Sequence, residues 1–307
     1  MAYVTAVVSD LAGLLAFIRN ACTANGWTLS ADVLWKGNTY VEIKADGVIG
    51  ISIKGGTGKD GSNLLTGGGP NYAYLGAVAA QAFTFPMTVE AHINATPDEV
   101  YVVCNFSTSY YESLAFGISD VPGLTGSGVW YYATRYELQG SDQYKTSAGG
   151  FYNGASFGAH PDGGPMFACY AGEGGSVDNG VTNSFIHADL DGQGWAATAG
   201  AASFPSSNRF LSPLLASLPN AWNGESVLLP FAVYGARSSG SKYSLVADLK
   251  HIRHCRIDYL DPGEIITLGS DSWKVYPWFR KNAATPGGGA GLTHSGTLAF
   301  AVRYTGP

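Results

Sequence analysis

Short segments of alternating apolar and polar residues, separated by turn-forming dipeptides, are the feature that most restricts the fold of this chain. Val33–Lys36 is followed by Gly37-Asn38 and then by Thr39–Ala45. Asp46-Gly47 separates that segment from Val48–Lys54, where isoleucines alternate with small or polar residues. Such dipeptides supply the positive φ that two-residue hairpin turns require. The pattern therefore predicts an antiparallel meander.

A single helix is predicted before this meander. Ser9 or Asp10 can cap its N-terminus, and apolar residues follow at helical spacing. Asn25-Gly26 predicts its end, because both residues tolerate the left-handed conformation. The chain also contains 42 glycines in 307 residues, about twice the average share. We predict a predominantly β, α+β fold with antiparallel, sandwich-like sheets, one N-terminal helix and long Gly-rich loops.

The remaining elements define three regions. Residues 1–56 form the helix and meander, residues 57–225 a loop-rich β domain or insertion, and residues 226–307 a β region. The first and third regions either pack together or fold apart. We predict a short helix at Tyr72–Gln81, short strands and loops in residues 139–219, and strands at Thr84–Asn94, Val100–Phe106, Tyr110–Phe116, Val129–Tyr136, Val227–Tyr234, Tyr243–Leu249, Ile252–Tyr259, Ile265–Leu268, Trp273–Tyr276 and Thr297–Tyr304.

The charges are few and unevenly distributed. Charged residues make up 13% of the chain, about half the usual share, which favours a surface covered by other subunits. Residues 226–307 hold nine basic and five acidic residues, a balance of +4, whereas residues 1–225 hold eight and eighteen, a balance of −10. This asymmetry favours head-to-tail contact between copies, or reflects local patterning alone. We expect no nucleic-acid partner, because no basic stripe is present.

The cysteines and the N-terminal residues bear on localisation. Cys22, Cys104, Cys169 and Cys255 match no zinc-site or redox spacing, so we expect buried thiols in a reducing cell. The first ten residues lack the basic segment of a signal peptide, and no apolar run approaches 18 residues. We therefore expect synthesis in a cytoplasm and no membrane partner.

Four motifs resemble ligand-binding or catalytic sites, and each is better explained as a structural feature. Gly55-Gly-Thr-Gly-Lys59-Asp60 resembles a phosphate loop but has Ile53 where the pattern needs Gly and an acid after the Lys. Asp189-Leu-Asp191-Gly-Gln-Gly194 lacks the distal Glu of a calcium loop and predicts a turn. His251, His254 and Cys255 would not converge from one strand, which indicates an edge strand with protective charges.

Paired carboxylates are the fourth motif. They occur at Asp98-Glu99 and among Asp258, Asp261 and Glu264, all in segments expected to be solvated turns. Catalysis of glycan cleavage would need two of them facing each other across a cleft. We therefore expect no enzymatic activity, no cofactor and no metal site.

The segment from Asp261 to Asn282 predicts a tight β-hairpin followed by an aromatic and basic rim. Trp273 and Tyr276 fall on opposite faces of a strand, which favours packing in the hairpin interior. Aromatic residues beside Arg are typical of interface hot spots, and the long loop at residues 55–71 is typical of an interface arm. Our candidate protein-interface residues are therefore Trp278, Phe279, Arg280, Lys281, Lys59 and Asp60.

The same C-terminal run, Pro262-Gly-Glu-Ile-Ile-Thr-Leu-Gly with Trp273-Lys-Val-Tyr-Pro, resembles a family of virion structural proteins of tailed bacteriophages. Asp189-Leu-Asp-Gly-Gln-Gly-Trp195, Leu218-Pro-Asn-Ala-Trp-Asn223 and Ala24-Asn-Gly-Trp27 are similar to that family as well. The resemblance spans nearly the whole chain and is weakest at residues 137–185.

This resemblance implies a multi-copy component of the tail, baseplate or neck. Such a component would be a homo-oligomer in the particle that contacts other virion proteins, and it would be localised to the virion after synthesis in the host bacterial cytoplasm. Two alternatives stay open. The Trp and Tyr content and the loop-rich β structure favour a lectin-like module that binds host glycans. A glycan-cleaving enzyme is the third hypothesis.

Overall fold

The computed structural model describes residues 1–47, 50–76, 83–136, 145–146, 184–197, 228–237, 242–281, 284 and 298–307. In chain order its elements are β1 (Ala2–Val8), α1 (Leu11–Thr23), β2 (Thr28–Ser30), β3 (Val33–Lys36), β4 (Thr39–Asp46), β5 (Gly50–Gly56), β6 (Gly58–Lys59), β7 (Leu65–Thr66), β8 (Ala73–Gly76), β9 (Met87–Asn94), β10 (Glu99–Phe106), β11 (Tyr110–Ile118), β12 (Val129–Ala133), β13 (Arg135–Tyr136), β14 (Lys145–Thr146), β15 (Ser184–His187), β16 (Trp195–Ala197), β17 (Leu229–Ala236), β18 (Tyr243–Arg256), β19 (Ile265–Leu268), β20 (Asp271–Pro277) and β21 (Leu298–Tyr304).

Three antiparallel sheets form the body of the protein. A central sheet has the order β1-β9-β10-β11-β12-β15-β16, an N-terminal sheet the order β14-β13-β8-β5-β4-β3-β2, and a C-terminal sheet the order β17-β18-β21-β20-β19. The predicted β-rich α+β class with one N-terminal helix is confirmed. The central sheet combines β1 from the first predicted region with strands of the second.

The helix and the first hairpin follow the predicted local rules. The Asp10 carboxylate caps α1 by accepting the N–H of Gly13 at 2.7 Å. Lys36 pairs with Thr39 across the two-residue turn Gly37-Asn38. The second turn differs from the prediction, because Asp46 pairs with Gly50 and three residues therefore separate the paired positions.

Each face of the central sheet packs against another layer. Its first face carries apolar side chains of alternate residues, such as Val89 and Val102, against α1 and the N-terminal sheet. Its second face carries the intervening residues, such as Tyr101 and Val103, against the C-terminal sheet. Successive side chains of a strand point to opposite faces, so one run of sequence fills two interfaces. The molecule is a three-layered stack.

The strand predicted at Val129–Tyr136 divides between two layers. Residues of β12 pair with β11 in the central sheet, and those of β13 pair with β8 in the N-terminal sheet. Thr134 lies at the crossing. Its hydroxyl donates to the Ser113 carbonyl at 2.7 Å, and its own N–H donates to the same carbonyl at 2.9 Å. A hydroxyl thus satisfies backbone groups where the strand leaves its first sheet.

The C-terminal sheet confirms the predicted hairpin and corrects the strand before it. Leu268 pairs with Asp271 across the turn between β19 and β20, where Gly269 has φ 62°. The strands predicted at Tyr243–Leu249 and Ile252–Tyr259 are instead one strand, β18. Its register against β17 shifts after Pro230, which leaves residues 250–252 as a bulge.

Two further predictions can be compared with the structure. Tyr72–Gln81 was predicted to be a helix, but Ala73–Gly76 is the strand β8. For Ala73–Gly76 this prediction was wrong because pairing with β5 and β13 fixes these residues as a strand, and tertiary packing overrides helix propensity. Residues 77–81 lie outside the described residues. Cys22, Cys104 and Cys255 are buried free thiols, as expected, whereas Cys169 lies outside the described residues.

Candidate ligand-binding cleft

A cleft of about 510 Å³ opens where three connections meet at one end of the layers. They are the loop between β11 and β12, the turn between β15 and β16, and the end of the β17–β18 hairpin. Its polar side chains come from Thr125, Asp189, Asp191, Arg237 and Ser244. The cleft therefore collects hydrogen-bonding groups from the central and C-terminal sheets.

The turn that supplies the two aspartates is the predicted one. Leu190–Gly192 is a single 3-10 turn, and Asp189 and Asp191 both have positive φ, 48° and 53°. Short polar side chains tolerate this conformation because they hydrogen-bond locally. The Asp189 Oδ1 atom accepts the N–H of Gly194 at 3.0 Å, and the Thr125 hydroxyl donates to the Asp189 carbonyl at 2.8 Å. The backbone of the turn is thus fixed from both sides.

An ion pair joins the two sides of the cleft. Arg237 Nη2 lies 2.5 Å from the Asp191 carboxylate, and Arg237 Nη1 donates to the Ser244 hydroxyl at 3.4 Å. The Arg237 side chain is 39% exposed, so part of the guanidinium faces the cleft. Because one arginine neutralises one aspartate, Asp189 supplies the net charge of these three groups.

His187 lies next to this turn and has a structural role as a hydrogen-bond acceptor. The N–H of Ser127 donates to His187 Nδ1 at 2.9 Å, and the His187 ring lies against Trp195. Burial lowers the pKa of His187 below its usual value. The ring is therefore held neutral as a hydrogen-bond acceptor.

The histidines of β18 lie in the interior. His251, His254 and Cys255 are buried, and β18 pairs with both β17 and β21. The prediction of a charged edge strand was therefore wrong. Across the described ranges, no three His, Cys, Asp or Glu side chains converge on a metal position.

Glu99 is a buried carboxylate that sequence reasoning missed. It was predicted to lie in a solvated turn, but it begins β10 and is fully buried. Its oxygens accept the N–H groups of Lys250 and His251, each at 3.0 Å, and the Tyr101 hydroxyl at 2.7 Å. Burial raises the pKa of Glu99 to about 7, while these three donors act to lower it. Glu99 thereby holds the β18 bulge against the central sheet.

Asp258 is the second carboxylate misplaced by the sequence. It is buried, and Arg256 forms a two-pronged pair with it at 2.8 and 2.9 Å. The expectation of a solvated turn was wrong for this residue, because the turn it begins is folded under the C-terminal sheet. Neither Glu99 nor Asp258 lines the cleft.

A second group of polar side chains connects the central sheet to the C-terminal sheet. Lys274 Nζ lies 2.7 Å from Glu90 and donates to the Tyr3 hydroxyl at 3.0 Å. The Tyr276 hydroxyl also donates to Glu90 and lies 2.8 Å from His92 Nε2. Burial lowers the pKa of His92 to about 4. These groups are hydrogen-bonded to one another between the two layers and are therefore poorly accessible to a ligand.

Three of the predicted interface residues are interior residues of the single chain. Trp278 and Phe279 are at most 2% exposed and belong to the two main cores. Lys281 is buried, and its Nζ donates to the carbonyls of Ile257, Asp258 and Leu260. The exposed rim expected after the hairpin is therefore wrong for these three, because the segment turns back under the sheets.

The other three candidates lie at or near the surface. Arg280 is half-buried, donates to the hydroxyls of Ser109 and Tyr110, and stacks on the Tyr110 ring. Lys59 and Asp60 lie at the β6–β7 hairpin, where Asp60 Oδ1 accepts two backbone N–H groups. Their role in an interface stays a prediction.

Basic residues after position 226 are largely engaged within the chain. Five of them form ion pairs with acidic residues, and these pairs are Arg237–Asp191, Lys250–Asp248, Arg256–Asp258, Lys274–Glu90 and Arg303–Asp271. Two of these acidic partners come from the acidic part of the sequence. Residues 226–307 therefore have fewer unpaired basic side chains with which to attract another copy than their net balance of +4 indicates.

Two sheet edges expose apolar side chains. The strand β19 forms one edge of the C-terminal sheet, and Ile265 and Leu268 on it are 43% and 62% exposed. The strand β1 forms one edge of the central sheet, and Val7 on it is 68% exposed. Neither strand carries a charged residue within its bounds.

Two comparisons with known proteins found no match. No protein-family model matches the chain, and no characterised protein matches its sequence. Within the part of the chain that the structure describes, no helix has the length and apolar character needed to cross a membrane.

Proposed function

We propose that this chain is a structural subunit of a tailed-phage virion that acts through contacts with other copies and with neighbouring tail, baseplate or neck proteins. The exposed edge strand β19 is the observation that supports this proposal best. An edge strand presents unpaired N–H and C=O groups, and most proteins protect such edges with charge, proline or bulges. The sequence Ile265-Ile-Thr-Leu268 carries none of these protections.

The chemistry of β19 suits addition of a strand from another chain. Main-chain hydrogen bonds would provide affinity, and the exposed Ile265 and Leu268 side chains would be covered by the partner. The second apolar edge, β1, belongs to a different sheet. A subunit with two separate edges can contact two neighbours, as rings and stacks require.

The buried polar groups support a structural role in another way. Glu99 and the Glu90–Lys274 pair lie between layers and are saturated by protein donors. Such groups fix the arrangement of the sheets and are poorly placed to act on a substrate. A rigid stack with open edges is suited to repeated contacts.

The proposal is tested by substituting both exposed residues of β19 with lysine, Ile265→Lys and Leu268→Lys, in a tailed phage whose genome encodes this chain. We expect the double variant to fold with a small loss of stability, because Ile265 pairs with Lys274 across the hairpin, and to be missing from purified particles by mass spectrometry. Leu64→Lys is the matched control, because Leu64 is 58% exposed on the β6–β7 turn and not on β19.

Two results would contradict the proposal at different levels. Absence of the unmodified chain from purified particles would overturn the virion role itself. Normal incorporation of the β19 double variant would keep the virion role and remove β19 as the contact.

A further inference from the structure

We propose that the cleft between the β15–β16 turn and the β17–β18 hairpin binds a neutral polyhydroxylated ligand, namely a mono- or disaccharide. This site goes beyond the assembly role and does not depend on it. Its volume of about 510 Å³ lies within the range of about 300 to 1,000 Å³ typical of small-molecule sites.

The cleft offers hydrogen-bond donors and acceptors side by side. Asp189 Oδ1 is used by Gly194, whereas its second oxygen has no hydrogen-bond partner among the residues that the structure describes. Arg237 contributes N–H donors, and Ser244 contributes a hydroxyl that can both donate and accept. A ligand with several hydroxyl groups matches this mixture, because each hydroxyl also donates and accepts.

The charges in the cleft, the Asp189 carboxylate beside the Arg237–Asp191 pair, oppose an anion and are compatible with a neutral ligand. An anion would approach the Asp189 carboxylate, and a cation would approach the Arg237 guanidinium. The 2.5 Å pair between Arg237 and Asp191 further reduces the attraction of either group for a charged ligand, because most of its field is directed to its partner. Neutral hydroxyl groups can bind to both without a like-charge contact.

Apolar surface lies beside these polar groups. Leu124 and Leu245 line the cleft, and Leu245 is 38% exposed. Sugar rings have faces of C–H groups that can cover such side chains while their hydroxyls bind at the rim. Small-molecule sites commonly combine an apolar lining with a few fixed polar groups.

The polar groups are held in place before any ligand arrives. Thr125 and Gly194 fix the Asp189 backbone and carboxylate, and Asp191 and Ser244 fix Arg237. Little side-chain entropy is therefore lost when a ligand binds. This arrangement distinguishes the cleft from a surface turn with mobile side chains.

The test measures binding of the purified full-length chain to an array of neutral mono- and disaccharides, followed by calorimetric titration with the sugar that is retained. The key variant is Asp189→Asn, because an asparagine tolerates the same φ and keeps an oxygen for the Gly194 N–H. It replaces the second oxygen with an NH₂ group. We expect at least about a tenfold loss of affinity, which corresponds to about 1.4 kcal/mol, and a similar loss for Arg237→Lys.

Asp60→Asn is the matched control, because Asp60 also accepts backbone N–H groups in a tight turn but lies outside the cleft. We expect this variant to bind like the unmodified chain. Failure of every neutral sugar to bind would overturn the proposal, as would binding that Asp189→Asn leaves unchanged. Salt-dependent binding of a lysine-rich peptide in place of sugars would also overturn it and identify the cleft as a protein contact.

Discussion

The two faces of the central sheet both pack against another layer but differ in chemistry. The face against α1 and the N-terminal sheet is packed mainly with aliphatic and aromatic side chains, with Phe116 against Trp27 at a ring distance of 5.1 Å. The face against the C-terminal sheet includes Glu90, His92 and Glu99. Both faces come from the same strands, so their difference arises from alternate residues of one sequence.

This difference shows how the layers are specified. Apolar packing supplies most of the stability and tolerates small shifts of one layer over another. Buried polar groups tolerate no such shift, because a displaced donor or acceptor is left without a partner. We infer that the first face contributes more stability and that the second fixes the position of the C-terminal sheet.

The largest effect is expected from the apolar face. Phe116→Ala should lower the free energy of unfolding by about 3 to 5 kcal/mol, because it removes a buried ring and leaves a cavity beside Trp27. Urea denaturation followed by tryptophan fluorescence measures this loss. Leu268→Ala, on the exposed edge, is the control and should change stability by less than about 0.5 kcal/mol. Equal losses for the two variants would contradict the burial of this face.

A smaller effect is expected from the ion pair of the polar face. Lys274→Met should cost about 2 kcal/mol, because it leaves the Glu90 carboxylate without its cation in a half-buried site. Adding Glu90→Gln to the same chain should recover part of that loss, since no unpaired charge then remains. A double-mutant cycle of urea midpoints measures the coupling. Additive losses would show that the pair does not connect the two sheets.

The smallest effect is expected from Glu99→Gln, and it depends on pH. The amide keeps one acceptor oxygen, so the loss should be about 1 kcal/mol. The pKa of Glu99 is raised from 4.5 to about 7, so between these values the native state holds a proton that the unfolded chain has released. The contribution of Glu99 is therefore complete below about pH 4.5 and is lost as the pH rises through 7.

The stability of the unmodified chain relative to Glu99→Gln should consequently fall from pH 4.5 to 7. His92 provides the opposite case on the same face. Its pKa is lowered from 6.5 to about 4, so its contribution is lost as the pH falls from 6.5 to 4. Thermal unfolding of Glu99→Gln and His92→Gln across this range should give slopes of opposite sign relative to the unmodified chain.

The sequence predicted correctly those elements that are determined by residues close together along the chain. The cap at Asp10, the turn at Gly37-Asn38 and the hairpin at Gly269 act over a few residues, and the structure confirms each. The strand β8 was missed because Ala73 and Gly76 carry little β propensity, and pairing with β5 and β13 determines its conformation. No local pattern reports such long-range pairing.

The functional residues were harder to place for a related reason. Alternation in β9 makes Glu90 and His92 look solvent-facing, and only the docking of a distant sheet buries them. The aromatic composition of Trp278 and Phe279 is equally typical of a core and of an interface. The cleft combines Thr125, Asp189 and Arg237 from separate segments, so the sequence predicted the turn at Asp189 but not what lies opposite it.

The strand that passes from β12 to β13 has a mechanical consequence. A single stretch of backbone belongs to the central and the N-terminal sheet, with Thr134 bonded at the crossing. Relative rotation of these two layers would have to bend that backbone or break the bonds between Thr134 and Ser113. A load applied to one layer is therefore transmitted covalently to the other. The C-terminal sheet, which joins the stack through side chains and loops, is the layer expected to yield first under tension.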